Sequence, residues 1–304
     1  MSILCVGQAV YDITLPVDTA IIENQKYRIY HRLTCMGGPA GNAAYLCGLW
    51  NIDTSLIARI GNDGFGKEIL DTLKKANVST SSMYVNPNGS TSISCIISNT
   101  INGNRTILNT PLPEVSFPLQ LPKQSPKVIL FDGHEKNISL EIIKSYPDAQ
   151  LILDAGTYKE EILEIIQAVN YLVCSQDFTY QYTNIHIDLN DINTWIDTFT
   201  KLEEINSHTI VITLGEQGAL YKEGSIIHHI PAFHANTVDT TGAGDIFHGA
   251  FAYAIHEGYS LKDSILLASL TASISVETLG GQPSIPSFHT VKEKAIQLKQ
   301  NWIK

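Results

Sequence analysis

A chain of 304 residues, 44% hydrophobic and 16% charged, is long and apolar enough to bury a core of its own, which excludes a disordered protein. Its net charge of −10 argues against nucleic acid or an anionic membrane as the main partner, since both need a cationic face, so any site for an anionic ligand must be locally positive. The five cysteines (Cys5, Cys35, Cys47, Cys95 and Cys174) form no CxxC pair, a pattern of a reduced, cytoplasmic protein rather than of a disulfide framework or zinc site.

The N-terminus runs straight into an apolar strand, Ile3 to Val6, with no basic leader segment before it, and no apolar stretch is long enough to span a bilayer. Further buried-strand runs are expected at Ser55–Ile60, Val128–Phe131, Leu151–Leu153, Tyr171–Val173 and Thr209–Leu214. Amphipathic segments at Lys67–Ala76, Leu140–Ser145 and Glu160–Ala168 fall between them. Short apolar runs separated by helices predict βαβ units and a mostly parallel sheet covered on both faces, an α/β fold.

Two regions break this rhythm. Lys26–Leu33 and Thr91–Ile97 alternate with period two, and the latter is followed by the Asn102-Gly103-Asn104 turn and a short strand near Thr106–Leu108. Segments 13–34 and 90–110 therefore predict a small half-exposed sheet, suited to a lid over a substrate cleft, to a dimer surface, or to both. The rest of the chain reads as a single domain, with Pro111 to Pro126 leading from the lid back to the core. Ten histidines show no ligand spacing, and His228-His229 sits in an alternating, strand-like stretch, so the histidines do not predict a metal centre.

The most informative string is Asp239-Thr-Thr-Gly-Ala-Gly-Asp245, which opens a helix whose apolar positions are Ile246, Phe247, Ala250, Phe251 and Ala254. A glycine-rich turn at a helix N-terminus presents unpaired N–H groups at the positive end of the dipole and suits phosphate. A carboxylate at that place should repel the anion, unless its task is to take a proton from a hydroxyl attacking the phosphorus. Alone, the string reads equally well as a tight turn with Asp245 capping the helix.

As a whole, however, it resembles the second signature of the PfkB, ribokinase-like carbohydrate kinases. The resemblance implies a three-layer fold with a β lid, ATP and Mg²⁺ as cofactors and a sugar as acceptor. It also implies Asp245 as catalytic base and the amides of Gly242, Ala243 and Gly244 as an anion hole. Gly37-Gly-Pro-Ala-Gly-Asn42 and Gly61-Asn-Asp63-Gly-Phe-Gly66 are similar to the family's first signature. Carried over by position, Asp12 after the first strand, Gly38 and Asn42 hold sugar hydroxyls. The turn Thr213-Leu-Gly215-Glu-Gln-Gly218 lies beside the nucleotide in relatives, which makes Thr213, Gly215 and Gly218 its expected contacts. Gly280-Gly-Gln-Pro-Ser-Ile-Pro286 resembles the segment that joins Asp239 and Thr241 in a monovalent-cation loop, so K⁺ activation is a further expectation. A homodimer through the lid is a family expectation.

One departure stands out. Where ribokinases carry an NxxE motif that organises Mg²⁺ waters, this chain has Ser175-Gln176-Asp177-Phe178. Asp177 or Asp154 is left to serve the metal, and the change resembles the ketohexokinase and sulfofructose-kinase side of the family. Lys26 and Asn109 fit an acceptor with an anionic tail, as do Arg28, Arg105 and His134, although basic residues on a half-exposed sheet also read as a solvated edge. The favoured reading is a ketose or a sulfo- or phospho-sugar kinase. The rival is a non-catalytic sugar or nucleotide sensor on the same fold; no GxGxxG follows the first strand and no GxxxxGK[ST] occurs, which disfavours a dehydrogenase and a P-loop enzyme.

Overall fold

The computed structural model describes residues 2–101, 105–113, 117–122, 124–300 and 302–303. Its centre is a nine-stranded sheet. In chain order its strands are β1 (Ser2–Val6), β4 (Thr54–Ile57), β6 (Val78–Ser79), β10 (Pro126–Phe131), β11 (Gln150–Ala155), β12 (Tyr171–Ser175), β13 (Thr209–Thr213), β14 (Ala219–Glu223) and β15 (Ile226–Ile230). The spatial order is β15-β14-β13-β12-β11-β10-β1-β4-β6, parallel from β13 to β6, with an antiparallel hairpin at the other edge. The remaining strands are β2 (Val10–Val17), β3 (Leu33–Gly37), β8 (Ile93–Asn99) and β9 (Arg105–Thr110) in a separate four-stranded sheet, and the pair β5 (Arg59–Gly61) and β7 (Tyr84–Asn86).

Nine α-helices complete the described residues: α1 (Pro39–Leu49), α2 (Gly64–Lys75), α3 (Lys136–Ser145), α4 (Leu163–Ala168), α5 (Gln176–Thr183), α6 (Ile192–Leu202), α7 (Ala243–Glu257), α8 (Leu261–Ser275) and α9 (Phe288–Gln297). Because side chains alternate across a strand, the apolar runs of the central sheet feed two cores. Ile3 and Cys5 pack with α1, α2, α7, α8 and α9, whereas Leu4 and Val6 pack with α3, α4, α5 and α6. This gives the three layers, and it is why those strands read as unbroken hydrophobic runs.

Two sequence expectations need correction. Lys26–Leu33 is not a strand: only Leu33 enters the ladder, at the start of β3, and residues 24–32 are irregular. Its alternation is one of burial alone, with Tyr27 and Ile29 half-covered and Arg28 and Tyr30 exposed. The strand that the small sheet does use is β2, which follows β1 after only three residues and was hidden in what reads as its loop. Ser55–Ile60 is also not one strand, since the chain leaves the central sheet after Ile57 and resumes as β5 beside β7. The Asn102-Gly103-Asn104 turn lies outside the described residues.

In the small sheet β2 runs antiparallel to β3 and parallel to β8, which pairs antiparallel with β9. The register aligns Cys35, Asp12, Ser94 and Asn109 in one cross-strand row, and two residues along β8 in each step Ile96 meets Ile107 and Ser98 meets Arg105. Asp12, Ser94, Asn109 and Arg105 therefore share one face.

Candidate active site

The C-terminal ends of β10, β11, β12 and β13 open onto a cleft of about 320 Å³, where Asp132, Asp154, Ser175 and Thr213 meet the turn at Thr240, Gly242, Gly244 and Asp245. Ligands of open α/β sheets gather at such strand ends. Each of these side chains is the last polar residue of an apolar run or the first residue beyond it.

The turn is shaped by its aspartate. Asp239 is buried; its Oδ1 accepts from the Thr241 amide at 2.9 Å and the Thr241 hydroxyl at 2.7 Å, and its Oδ2 accepts from the Gly280 amide at 2.8 Å. Gly242 then caps α7 in the left-handed region at φ 75°, where a Cβ would stand 3.0 Å from the Gly281 Cα. Gly242 and Gly244 line the cleft, but Ala243 does not, and its amide donates back to the Thr240 carbonyl at 3.3 Å.

Asp245 lies in the first turn of α7, with Oδ2 accepting from Asn42 Nδ2 at 2.7 Å. Burial, and then the nearby Asp154 carboxylate, push its pKa up to about 7 against the opposing pull of the Asn42 bond. Asn42 itself is buried in α1, and its Oδ1, buried as well, has no hydrogen-bond partner among the described residues. Asp12 is likewise buried and pushed up to about 6 by that burial, with a Ser94 hydrogen bond opposing.

Two further carboxylates complete the floor. Asp132 Oδ2 accepts from the amides of Gln8 at 2.7 Å and Ala40 at 3.2 Å, while Oδ1 accepts from the His134 amide at 3.0 Å and pairs with His134 Nδ1 at 3.1 Å. Burial alone would raise its pKa; His134 and the amides outweigh burial and hold it below the usual range. Asp154 goes the other way: burial raises it, and His248, 3.2 Å away, only partly offsets this. His248 is fixed by the Gly244 and Val173 carbonyls at 2.7 and 3.1 Å from its ring nitrogens.

The expected site residues divide accordingly. Asp245, Gly242, Gly244 and Thr213 line the cleft, and Asn42 touches Asp245. Gly38 precedes α1, whose Gly41 amide is tied to the Gln8 carbonyl at 3.0 Å. Asn109 Nδ2 reaches the Ser92 and Ser94 hydroxyls at 3.3 and 3.2 Å, beside Asp12. Gly215 stands open at the end of β13, whereas Gly218 is a packing glycine whose Cβ would strike the Ile230 carbonyl. Lys26 is exposed and does not line the cleft. Asp177 is exposed and outside the cleft, and Phe178, standing where ribokinases have the NxxE glutamate, is fully buried in the core; of the two candidate carboxylates, Asp154 lines the cleft. Sequence reasoning missed Lys159 and His248, and it gave Asp132 no role. For Asp132 the strand-end position was the available signal.

The layered sheet, the small sheet beside the cleft and the aspartate turn at the helix entrance define the ribokinase-like class of kinase fold. The chain belongs to the pfkB family of carbohydrate kinases: the family model matches residues 1–287. A ribokinase of Lactococcus lactis is 30% identical over 276 residues, covering 87% of each chain. A nucleoside kinase of Methanocaldococcus jannaschii is 25% identical over 299 residues and 96% of each. The structure of Arabidopsis thaliana ribokinase complexed with ribose and ATP superposes with a TM-score of 0.81 at 22% identity, covering 96% of this chain and 97% of that one. This protein is a carbohydrate kinase of that family.

Proposed function

We propose that the protein transfers the γ-phosphoryl group of ATP to a hydroxyl of a neutral sugar or sugar-bearing compound, with Asp245 as general base. The observation that carries this reading is the Asp245 carboxylate: raised to about 7, held by Asn42, and lining one cleft with Gly242 and Gly244 at the N-terminal, positive end of α7. The hydroxyl loses its proton to Asp245 while these amides meet the charge on the transferred group. Asp12, Gly38, Asn42 and Asn109 hold the acceptor, and Thr213 and Gly215 border the nucleotide; Gly218 serves as a packing residue.

Mg²⁺ fits the donor set, because it is held by one or two carboxylates together with substrate phosphates, and Asp154 faces the cleft with no backbone donor on it among the described residues. Bound there, the ion would neutralise phosphate charge. Asp239 keeps a free lone pair on Oδ2 beside Gly280, which suits a monovalent cation at the Asp239–Thr241 turn. Two cations among the described residues do not serve an anionic ketose: Lys26 stays in solvent, and Arg59 is engaged by Glu135 at 2.7 Å and the Pro113 carbonyl. The small sheet acts as lid, and its outer face, with Leu15, Ile93, Ile97 and the 58% exposed Leu108, suits a homodimer contact. Five unpaired cysteines suit a cytoplasmic setting.

The test is ADP release from Mg·ATP across ribose, deoxyribose, nucleosides, fructose, sulfofructose and phosphorylated ketoses, with K⁺ or choline as counter-ion. Turnover on a neutral pentose or nucleoside is the expected result. Turnover confined to sulfo- or phospho-sugars would overturn the neutral-acceptor reading. Binding without turnover across the panel would favour a sensor.

A further inference from the structure

We propose that Arg105 is a catalytic residue of the phosphoryl transfer, a cation carried into the cleft by the small sheet. The inference rests on the kinase reading above. Arg105 opens β9, and its Nη1 donates to the Thr240 hydroxyl at 2.5 Å across 135 residues of sequence, the contact that joins the small sheet to the anion turn. It lines the cleft together with Gly242, Gly244 and Asp245.

The charge of the cleft explains why such a group is needed. Three carboxylates, Asp132, Asp154 and Asp245, line it. Of its basic residues, His134 is paired with Asp132 and His248 with Asp154, whereas Arg105 and Lys159 enter no salt bridge among the described residues. A triphosphate entering so acidic a space needs cations that face it. During transfer the charge spreads over three equatorial oxygens, and a planar guanidinium with five N–H donors matches that geometry better than a point charge does. One donor is used on Thr240, which aims the fork along the turn.

Register supplies the other half of the argument. Arg105 lies on the same face of the small sheet as Asp12, Ser94 and Asn109, four residues from Asn109 along β9 or about 13 Å. The face that covers the acceptor therefore presents the cation farther along the cleft, at the phosphoryl side. In the step itself the acceptor O–H proton passes to Asp245, the new O–Pγ bond forms as the bond from Pγ to the bridging oxygen breaks, and the electron pair leaves with ADP. Arg105 gains and loses no atom; it holds the charge in transit.

The experiment compares wild type, Arg105→Ala and Arg105→Lys with an accepted sugar, adding titrations of Mg·ADP and of ADP with aluminium fluoride. Arg105→Ala should lower kcat about 10²–10³-fold. Mg·ADP affinity should stay nearly unchanged, and the aluminium fluoride complex should be lost. Arg105→Lys should recover little, and free guanidinium ion should restore part of the Arg105→Ala turnover. A kcat within about threefold of wild type would overturn the proposal. So would equal losses in kcat and Mg·ADP affinity without guanidinium rescue, since Arg105 would then be only a latch on Thr240. Wild type that releases no ADP with any acceptor would instead overturn the kinase reading, and this inference with it.

Discussion

The central sheet and the small sheet face the same cleft but hold their polar groups by opposite means. On the central sheet, Asp132 is buried and accepts three backbone N–H bonds, and Asp154 is wedged beside His248. On the small sheet, Arg105 and Asn109 project from β9, an edge strand with every residue exposed, and only register decides that they face inward. The difference teaches a division of labour. The floor is preorganised by burial and by backbone donors, which suits groups that manage protons and charge. The cover contributes groups through the period-two alternation of a single strand, which suits recognition and closure.

The largest expected effect falls on the floor. Asp245→Asn should lower turnover by about 10²–10⁴-fold while nucleotide binding is largely kept. The same substitution should stabilise the fold. The carboxyl of Asp245 holds its proton up to about 7 in the native protein, against 3.8 for an ordinary aspartate. Between those values the native state binds a proton that the unfolded chain has released, so stability falls as pH rises, and the loss is complete above about 7. At pH 8 Asp245→Asn should therefore melt above wild type, by about 1–3 kcal/mol in stability.

Effects on the cover should be smaller and of a different kind. Asn109→Ala removes an amide beside Asp12 and Ser94, and should raise the acceptor KM about tenfold, with kcat nearly intact. Lys26→Ala should change neither parameter by more than about twofold, because Lys26 lies in solvent outside the cleft. A large Lys26 effect on an anionic acceptor would erase the distinction between a recognising cover and a solvated edge.

The same contrast governs what could be read before folding. Central strands such as Ile3–Val6 and Val128–Phe131 were legible, since burial on both faces writes an unbroken apolar run. The small sheet was only half legible. Thr91–Ile97 and Thr106–Leu108 lie within β8 and β9, but β2 begins three residues after β1 and shows no punctuation, and Lys26–Leu33 alternates in burial without a ladder. In the site, the Asp239–Asp245 turn was legible because local backbone chemistry fixes it. The Arg105–Thr240 contact, the Asp154–His248 pair and the burial of Phe178 at the lost glutamate position were not. Each joins residues far apart in the chain or depends on which way a side chain turns into the core.

The central claim is that a carboxyl poised near neutrality by burial and by Asp154 takes the proton of the attacking hydroxyl. The most direct measurement is the pH dependence of kcat/KM for the accepted sugar in wild type and Asp245→Asn. Wild type should rise through a midpoint near the value of about 7 and level off above it, with the variant low and flat across the same range. A variant that keeps near-normal turnover, or that rises through the wild-type midpoint, would show that the proton goes elsewhere and that Asp245 is not the base.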